Sequence, residues 1–317
     1  MKFNDNAQLD TSQVEDRRGG GGGGGGGGGF SLGRGGLAGG GLGVVGILIF
    51  VAIQLFSGNS SSDSTGGGAL GNAMGQLAGG NTQNASVNSG QLNCSAGVTS
   101  SDDCEVLAIV NSVQAYWSQQ LARSGTTYTK SPTVFFTGST ATGCGTGETG
   151  MGPFYCPSDA KVYIDLSFWS ELKTQFGAND SLFTQAYVLA HEYGHHVQDL
   201  LGTNSRVGSA TGATSGSVRL ELQADCYAGV WAQHASTVAG SDGQILISDI
   251  TQTDVDNALD TAGKIGDDYI QTNLGGGQVD QSQFTHGSSA QRQKWFTTGY
   301  RSGNPAACNT FDTSNLG

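Results

Sequence analysis

Between residues 104 and 123, apolar side chains recur at Val106, Ile109, Val110, Val113, Tyr116, Trp117 and Leu121. This is the spacing of a helix with one buried face, and Asp102 or Asp103 stands where an N-cap belongs. The period then changes. Pro132–Thr137 (PTVFFT) and Val162–Phe168 (VYIDLSF) are rich in β-branched and aromatic residues and predict strands, with Gly143–Pro157 as a loop between them. Helical spacing returns over about 181–201, where Leu182, Phe183, Ala186, Tyr187, Leu189 and Ala190 lead up to a polar cluster and Gly202 stops the run. Beyond a Gly/Ser/Thr-rich loop to Ser217, further helices are predicted at about 218–237, 253–272 and 288–299. The last is opened by a Ser288/Gln291 capping box. No internal repeat is present. The order predicts an α+β fold, mainly helical, with a small sheet early in the chain.

The first ninety residues follow no such period. Gly19–Gly29 is unbroken glycine and reads as a flexible tether, and Ser57–Gly90 is mostly Ser, Gly, Asn and Thr. Such segments bury no core, so the folded unit is expected to begin near Gln91. Between them Leu42–Phe56 (LGVVGILIFVAIQLF) is apolar, and uncharged flanks extend it towards the ~20 residues a spanning helix needs. The acid-bearing region before it and the lack of an A-x-A site after it favour an anchor over a cleaved signal peptide. Bases precede the run, and the next one lies at Arg123. The expected topology is therefore single-pass: 1–35 a cytoplasmic Gly-rich segment, 36–57 a transmembrane helix, 58–90 a linker, and 91–317 the folded domain outside the cytoplasm.

Charge and cysteines sharpen this picture. The formal net charge is −12, and charges in residues 1–57 cancel, so the acid excess belongs to the C-terminal part. Such a domain does not hold nucleic acid through phosphates. All six cysteines follow the apolar run, an even set that suits disulfides in an oxidising compartment, and no C-x-x-C pair points to a zinc cluster. The preferred pairing closes the two short loops, Cys94–Cys104 and Cys144–Cys156, and leaves Cys226 with Cys308.

The chemistry concentrates in His191-Glu192-Tyr193-Gly194-His195. Histidines four apart on a helix project from one face, so both imidazoles can reach one Zn²⁺ at ~2.0–2.1 Å. Glu192, offset around the helix, can instead take the proton of an activated water. Glu221 and Asp225, also four apart, open the next predicted helix. Glu221 is the natural third ligand of a site holding one zinc per chain, and Asp225 can fix the tautomer of a ligand histidine. Gly194 allows another backbone to approach. The bland alternative, a solvated acidic stripe, fits poorly with an otherwise apolar helix carrying Cys226, Tyr227, Val230 and Trp231.

E-x-x-A-D after H-E-x-x-H resembles the gluzincin pattern and looks like the CAAX prenyl protease group. A closer similarity is to a bacterial family of neutral zinc metallopeptidases. It rests on Val14-Glu15-Asp16-Arg17-Arg18, Gly152-Pro153-Phe154-Tyr155-Cys156-Pro157, His191–His196, and Phe284-Thr285-His286-Gly287-Ser288-Ser289 with Gln291-Arg292. The resemblance implies a zincin-like fold, a protein or peptide substrate and hydrolysis. By the same resemblance, His286, with Arg292, stabilises the transition state. His196 reads as a packed histidine behind the site and His234 as solvated. Val162–Phe168 could be an edge strand that pairs with an extended peptide. Two other functions compete: a catalytically idle binding or scaffold protein, against which an intact Glu192 argues, and a zinc amidase acting on cell-wall peptides. Nothing in the sequence bears on oligomeric state.

Overall fold

A computed structural model describes residues 1–18 and 92–317. Helix α1 (Asp102–Arg123) starts after Ser101, whose hydroxyl accepts a bond from the Cys104 amide. Ser101 rather than Asp102 or Asp103 is thus the N-cap, and the two acids sit in the first turn, where carboxylates suit the helix dipole.

The main sheet contains β2 (Val14–Asp16), β3 (Thr133–Phe135), β6 (Phe154–Cys156) and β7 (Lys161–Ile164), in the order β2-β3-β7-β6. The first three run parallel, and β6 is antiparallel to β7. Gly143–Pro157 is more structured than a loop. It contains β6 and also β5 (Gly145–Glu148), which forms a hairpin with β4 (Ser139–Thr142). The strand expected over Val162–Phe168 ends at Ile164, and Phe168 opens helix α2 (Phe168–Phe176). Because β7 has neighbours on both sides, it is not an edge strand; β6 is.

Five further helices follow: α3 (Leu182–Leu200), α4 (Gly216–His234), α5 (Gln252–Lys264), α6 (Asp267–Asn273) and α7 (Ser289–Ser302). The single helix expected over 253–272 is broken at Gly266. A Cβ there would lie 2.4 Å from the Ser289 amide nitrogen, so the chain can pass α7 only without a side chain. Helix α3 is central, packed on α1, α4, α5 and the sheet, with Phe183, Tyr187 and Tyr193 fully buried. The three disulfides are Cys94–Cys104, Cys144–Cys156 and Cys226–Cys308.

The N-terminal readings need correction. Residues 1–18 are built into the domain. Strand β1 (Lys2–Phe3) pairs with β8 (Ile247–Asp249), and β2 pairs with β3. Asn111 and Gln114 of α1 hydrogen-bond Asp10 and Gln13, and the Arg18 guanidinium grips both Asp16 and Asp103. The folded unit therefore does not begin near Gln91. The single-pass topology also fails, because it would put residues 1–35 and 91–317 on opposite sides of a membrane while their strands share a sheet. The proposed span, 36–57, lies outside the described residues. Among the described residues no helix is long and apolar enough to cross a membrane.

Candidate metal centre

Helix α3 is capped by the Ser181 hydroxyl and is buried almost without a break from Phe183 to Gln198. Its polar cluster therefore faces protein rather than solvent. At Gly194 a Cβ would stand 3.0 Å from Ala224 Cα, so α4 passes against the α3 backbone there. That approach carries Glu221 and Asp225, both fully buried, to the histidines.

His191 Nε2, His195 Nε2 and the Glu221 carboxylate form a triangle. The separations are 3.2 Å between the two nitrogens, 3.2 Å from His191 to Glu221 Oε2, and 3.5 Å from His195 to Oε1. Three corners of a tetrahedron with ~2.0–2.1 Å bonds stand about 3.3–3.4 Å apart. The triangle has the size of a zinc site, and two nitrogens with one carboxylate oxygen are a donor set that zinc accepts. Glu221 Oε1 is buried without a hydrogen-bond partner, an expensive condition unless a cation is its partner.

Both rings are held from behind. Asp225 Oδ1 lies 2.8 Å from His191 Nδ1, and Gln198 Oε1 lies 2.8 Å from His195 Nδ1, which turns each Nε2 towards the triangle. Burial lowers the pKa of His191, but the Asp225 and Glu221 carboxylates outweigh it and raise it to about 9. Two carboxylates around one imidazole call for positive charge there. Burial raises Asp225, but the Arg292 guanidinium and His191 bring it down to about 2.

Arg292 is not aimed at the triangle. Its Nε and Nη2 each bond Asp225 at 2.9 Å, Nη2 also reaches Tyr187 Oη, and Nη1 donates to the Ile265 carbonyl. It stands on the Nδ1 side of His191, paired with the carboxylate that bonds that nitrogen.

Glu192 is buried, which raises its pKa although the two histidines oppose the shift. Its Oε2 accepts a 3.0 Å bond from the Tyr155 amide. The edge strand β6 thus points a backbone donor at the carboxylate beside the triangle. His286 is buried with Nε2 unpartnered, and it interacts electrostatically with Glu221. Its Nδ1 lies 3.0 Å from Asp267 Oδ1. The other Asp267 oxygen accepts the amides of Thr285, His286 and Gly287, which locks the turn that carries the ring. Burial lowers the pKa of His286, but Asp267 more than reverses this and raises it.

Sequence reasoning missed Asp267, Gln198 and the Tyr155 amide. Gly266, just before Asp267, was a signal for it, an unexplained glycine in a helical pattern. His196 lies behind the site, bonded to Tyr155 Oη and the Thr129 carbonyl. His234, read as solvated, is half-buried, stacked on Tyr116 and bonded to the Gly303 carbonyl.

Comparison with known proteins agrees with this geometry. A family model described as "Putative neutral zinc metallopeptidase" matches residues 1–311. The uncharacterized protein Rv2575 of Mycobacterium tuberculosis is 47% identical over 216 residues, covering 68% of this chain and 72% of the relative. The uncharacterized protein YpfJ of Escherichia coli K12 is 47% identical over 213 residues, covering 65% and 70%. No solved structure matches the chain.

Proposed function

Since the chain belongs to this family of zinc metallopeptidases, we propose that it is a zinc-dependent endopeptidase of zincin-like architecture, with His191, His195 and Glu221 as ligands. The observation that carries the reading is the buried cluster itself, in which two imidazole nitrogens and one carboxylate stand close enough to share one zinc ion and Glu221 Oε1 has no hydrogen-bond partner. Zinc bound there would acidify a water and polarise a carbonyl oxygen.

The remaining work falls to the chain. Glu192, with its pKa raised by burial, takes the water's proton and passes it to the leaving amine. His286 donates from Nε2 to the oxygen that becomes negative, and Asp267 fixes the ring and favours its protonated form. Asp225 and Gln198 keep the ligand rings in register, and Arg292 balances the charge of Asp225. An extended peptide would lie along β6, the strand with an open edge beside Glu192. The Tyr155 amide is the first donor such a peptide meets, and Glu192 must release it.

The test is incubation of the full chain, loaded with zinc, with a denatured protein, beside its Glu192→Gln variant. Internal cleavage by the wild type alone is expected, with zinc content equal in both. Cleavage by Glu192→Gln at the wild-type rate would refute the assignment of the base.

A further inference from the structure

Beside the triangle lies a cavity of about 20 Å³. It is lined by His191 and Glu192 of the cluster and by the apolar side chains of Pro153, Phe168, Leu172, Val188 and Ile265. Tyr187 and Arg292 also line it, but their polar atoms are already engaged. The guanidinium is spent on Asp225 and the Ile265 carbonyl, and the Tyr187 hydroxyl donates to Asp225. An acidic side chain entering here would meet the Glu192 carboxylate and a cation already neutralised. A water needs two to four polar partners, so the cavity favours an apolar occupant.

We propose that this cavity receives the side chain of the residue whose nitrogen leaves, and that it selects small apolar residues there, alanine above all. The proposal rests on the peptidase reading of the same site. The side of the bond follows from chemistry. Glu192 borders the cavity and hands its proton to the leaving nitrogen, whereas His286, which faces the oxygen, does not border it. Size follows from volume, because about 20 Å³ is room for roughly one water-sized group, hence a methyl. The walls do not yield readily. Phe168 and Leu172 on α2 and Val188 on α3 belong to the continuous core, where extra methylenes force neighbours off their rotamers. Glycine leaves the space unfilled, while leucine and phenylalanine overfill it.

The test uses succinyl hydroxamates, which anchor on zinc, carrying a glycine, alanine, valine, leucine or phenylalanine side chain at the adjacent position. Their affinities are measured by calorimetry on the zinc-loaded full chain with Glu192→Gln, so no turnover is required. Alanine should bind tightest, with glycine, leucine and phenylalanine at least ~10-fold weaker, the scale on which a misfitted methylene discriminates. Leu172→Ala should move the optimum to leucine. Ile265→Ala, which opens the cavity from another element at a half-buried position, should do the same if Leu172→Ala does not fold. A flat series, an optimum at leucine or phenylalanine in the parent, or an optimum unmoved in the folded variants would overturn the proposal. The two readings fail separately. An alanine optimum in a protein that hydrolyses nothing sinks the peptidase and keeps the pocket. Glu192-dependent cleavage indifferent to the residue after the cut does the reverse.

Discussion

Replacing Arg292 by methionine separates a group that faces the reaction from one that works through Asp225. Arg292 is 2% exposed and Asp225 is 0% exposed, and they share two bonds of 2.9 Å. Methionine keeps much of the stem and its packing but leaves Asp225 with only His191 and the Tyr187 hydroxyl. Breaking a buried ion pair from one side costs about 3–5 kcal/mol. In a folded unit of this size each kcal/mol moves Tm by ~2–4 °C, so Arg292→Met should melt roughly 6–20 °C lower. Zinc affinity should fall ~10–100-fold, as expected when the group orienting a ligand histidine is disturbed. An oxyanion donor would behave otherwise, losing ~10²–10³ in kcat at unchanged Tm. Differential scanning calorimetry with and without zinc reads both quantities. The companion is Asp225→Asn/Arg292→Met, in which no charge remains stranded. It should melt above Arg292→Met alone, with a coupling of about 1–3 kcal/mol across the cycle. An unchanged Tm in Arg292→Met, or a double variant that loses the plain sum of the singles, would refute the reasoning.

Three other outcomes are expected. His191→Ala and Glu221→Ala should each lose most of the bound zinc by elemental analysis, and full occupancy in both would remove them as ligands. Asp267→Asn should keep zinc and KM while kcat falls ~10–100-fold. His286→Ala should fall at least as far, and the double variant no further than His286→Ala; additive losses would place the two in separate roles. Residues 1–18 should loosen in acid. Hydrogen bonds from Arg18 hold Asp16 below its ordinary pKa, and although burial raises Glu15, Arg17 and Lys161 outweigh that and lower it. Carboxylates depressed on folding stabilise above their unfolded values, near ~4, and lose that contribution as pH falls through the folded ones. The Arg17 amide, bonded to the Phe135 carbonyl, should therefore lose exchange protection below about pH 4 before the α3 amides do. Equal protection of both at pH 3 would rule this out.

The features that could be read in the sequence share a physical origin. His191 with His195 and Glu221 with Asp225 are pairs at helical spacing, so local periodicity alone places each pair on one face. The need for a third ligand, together with Gly194, pointed to contact between the two helices there. What escaped was non-local. Val14–Asp16 is too short to show a period, and its partner β3 lies far along the chain, so nothing in a local window reveals a parallel pairing. The glycine run and apolar segment between them then dominated the reading of topology. Helix α2 was missed for a different reason. Phe168, Leu172 and Phe176 are its buried residues, spaced four apart, but Phe168 also ends a β-branched and aromatic run and was absorbed into that strand. Arg292 pairs with Asp225 across α7 and α4, a contact between distant segments that no local window reveals.

The charge balance of the buried cluster ties ligands and supports together. Glu192, Glu221 and Asp225 are each at most 1% exposed, and the one buried guanidinium among them belongs to Arg292. With neutral histidines, as ligation requires, three carboxylates face one permanent cation, a deficit of two positive charges. Proteins do not leave buried carboxylates so placed; they pair them, protonate them or give them a metal. The raised pKa of His191 and of Glu192 are partial answers of the protonating kind. A single dication at the triangle answers in full. It also returns Glu192 to the role its position suggests, a base that gains a proton during the reaction instead of holding one beforehand. On this argument Arg292→Met does more than strip packing, because it widens the deficit to three. The apparent affinity for a dication then reflects two opposed terms, a more negative cluster and a less ordered His191. Because the Nδ1 bond that orders His191 is made by Asp225, the same carboxylate that Arg292 holds, disorder should dominate and zinc should bind more weakly.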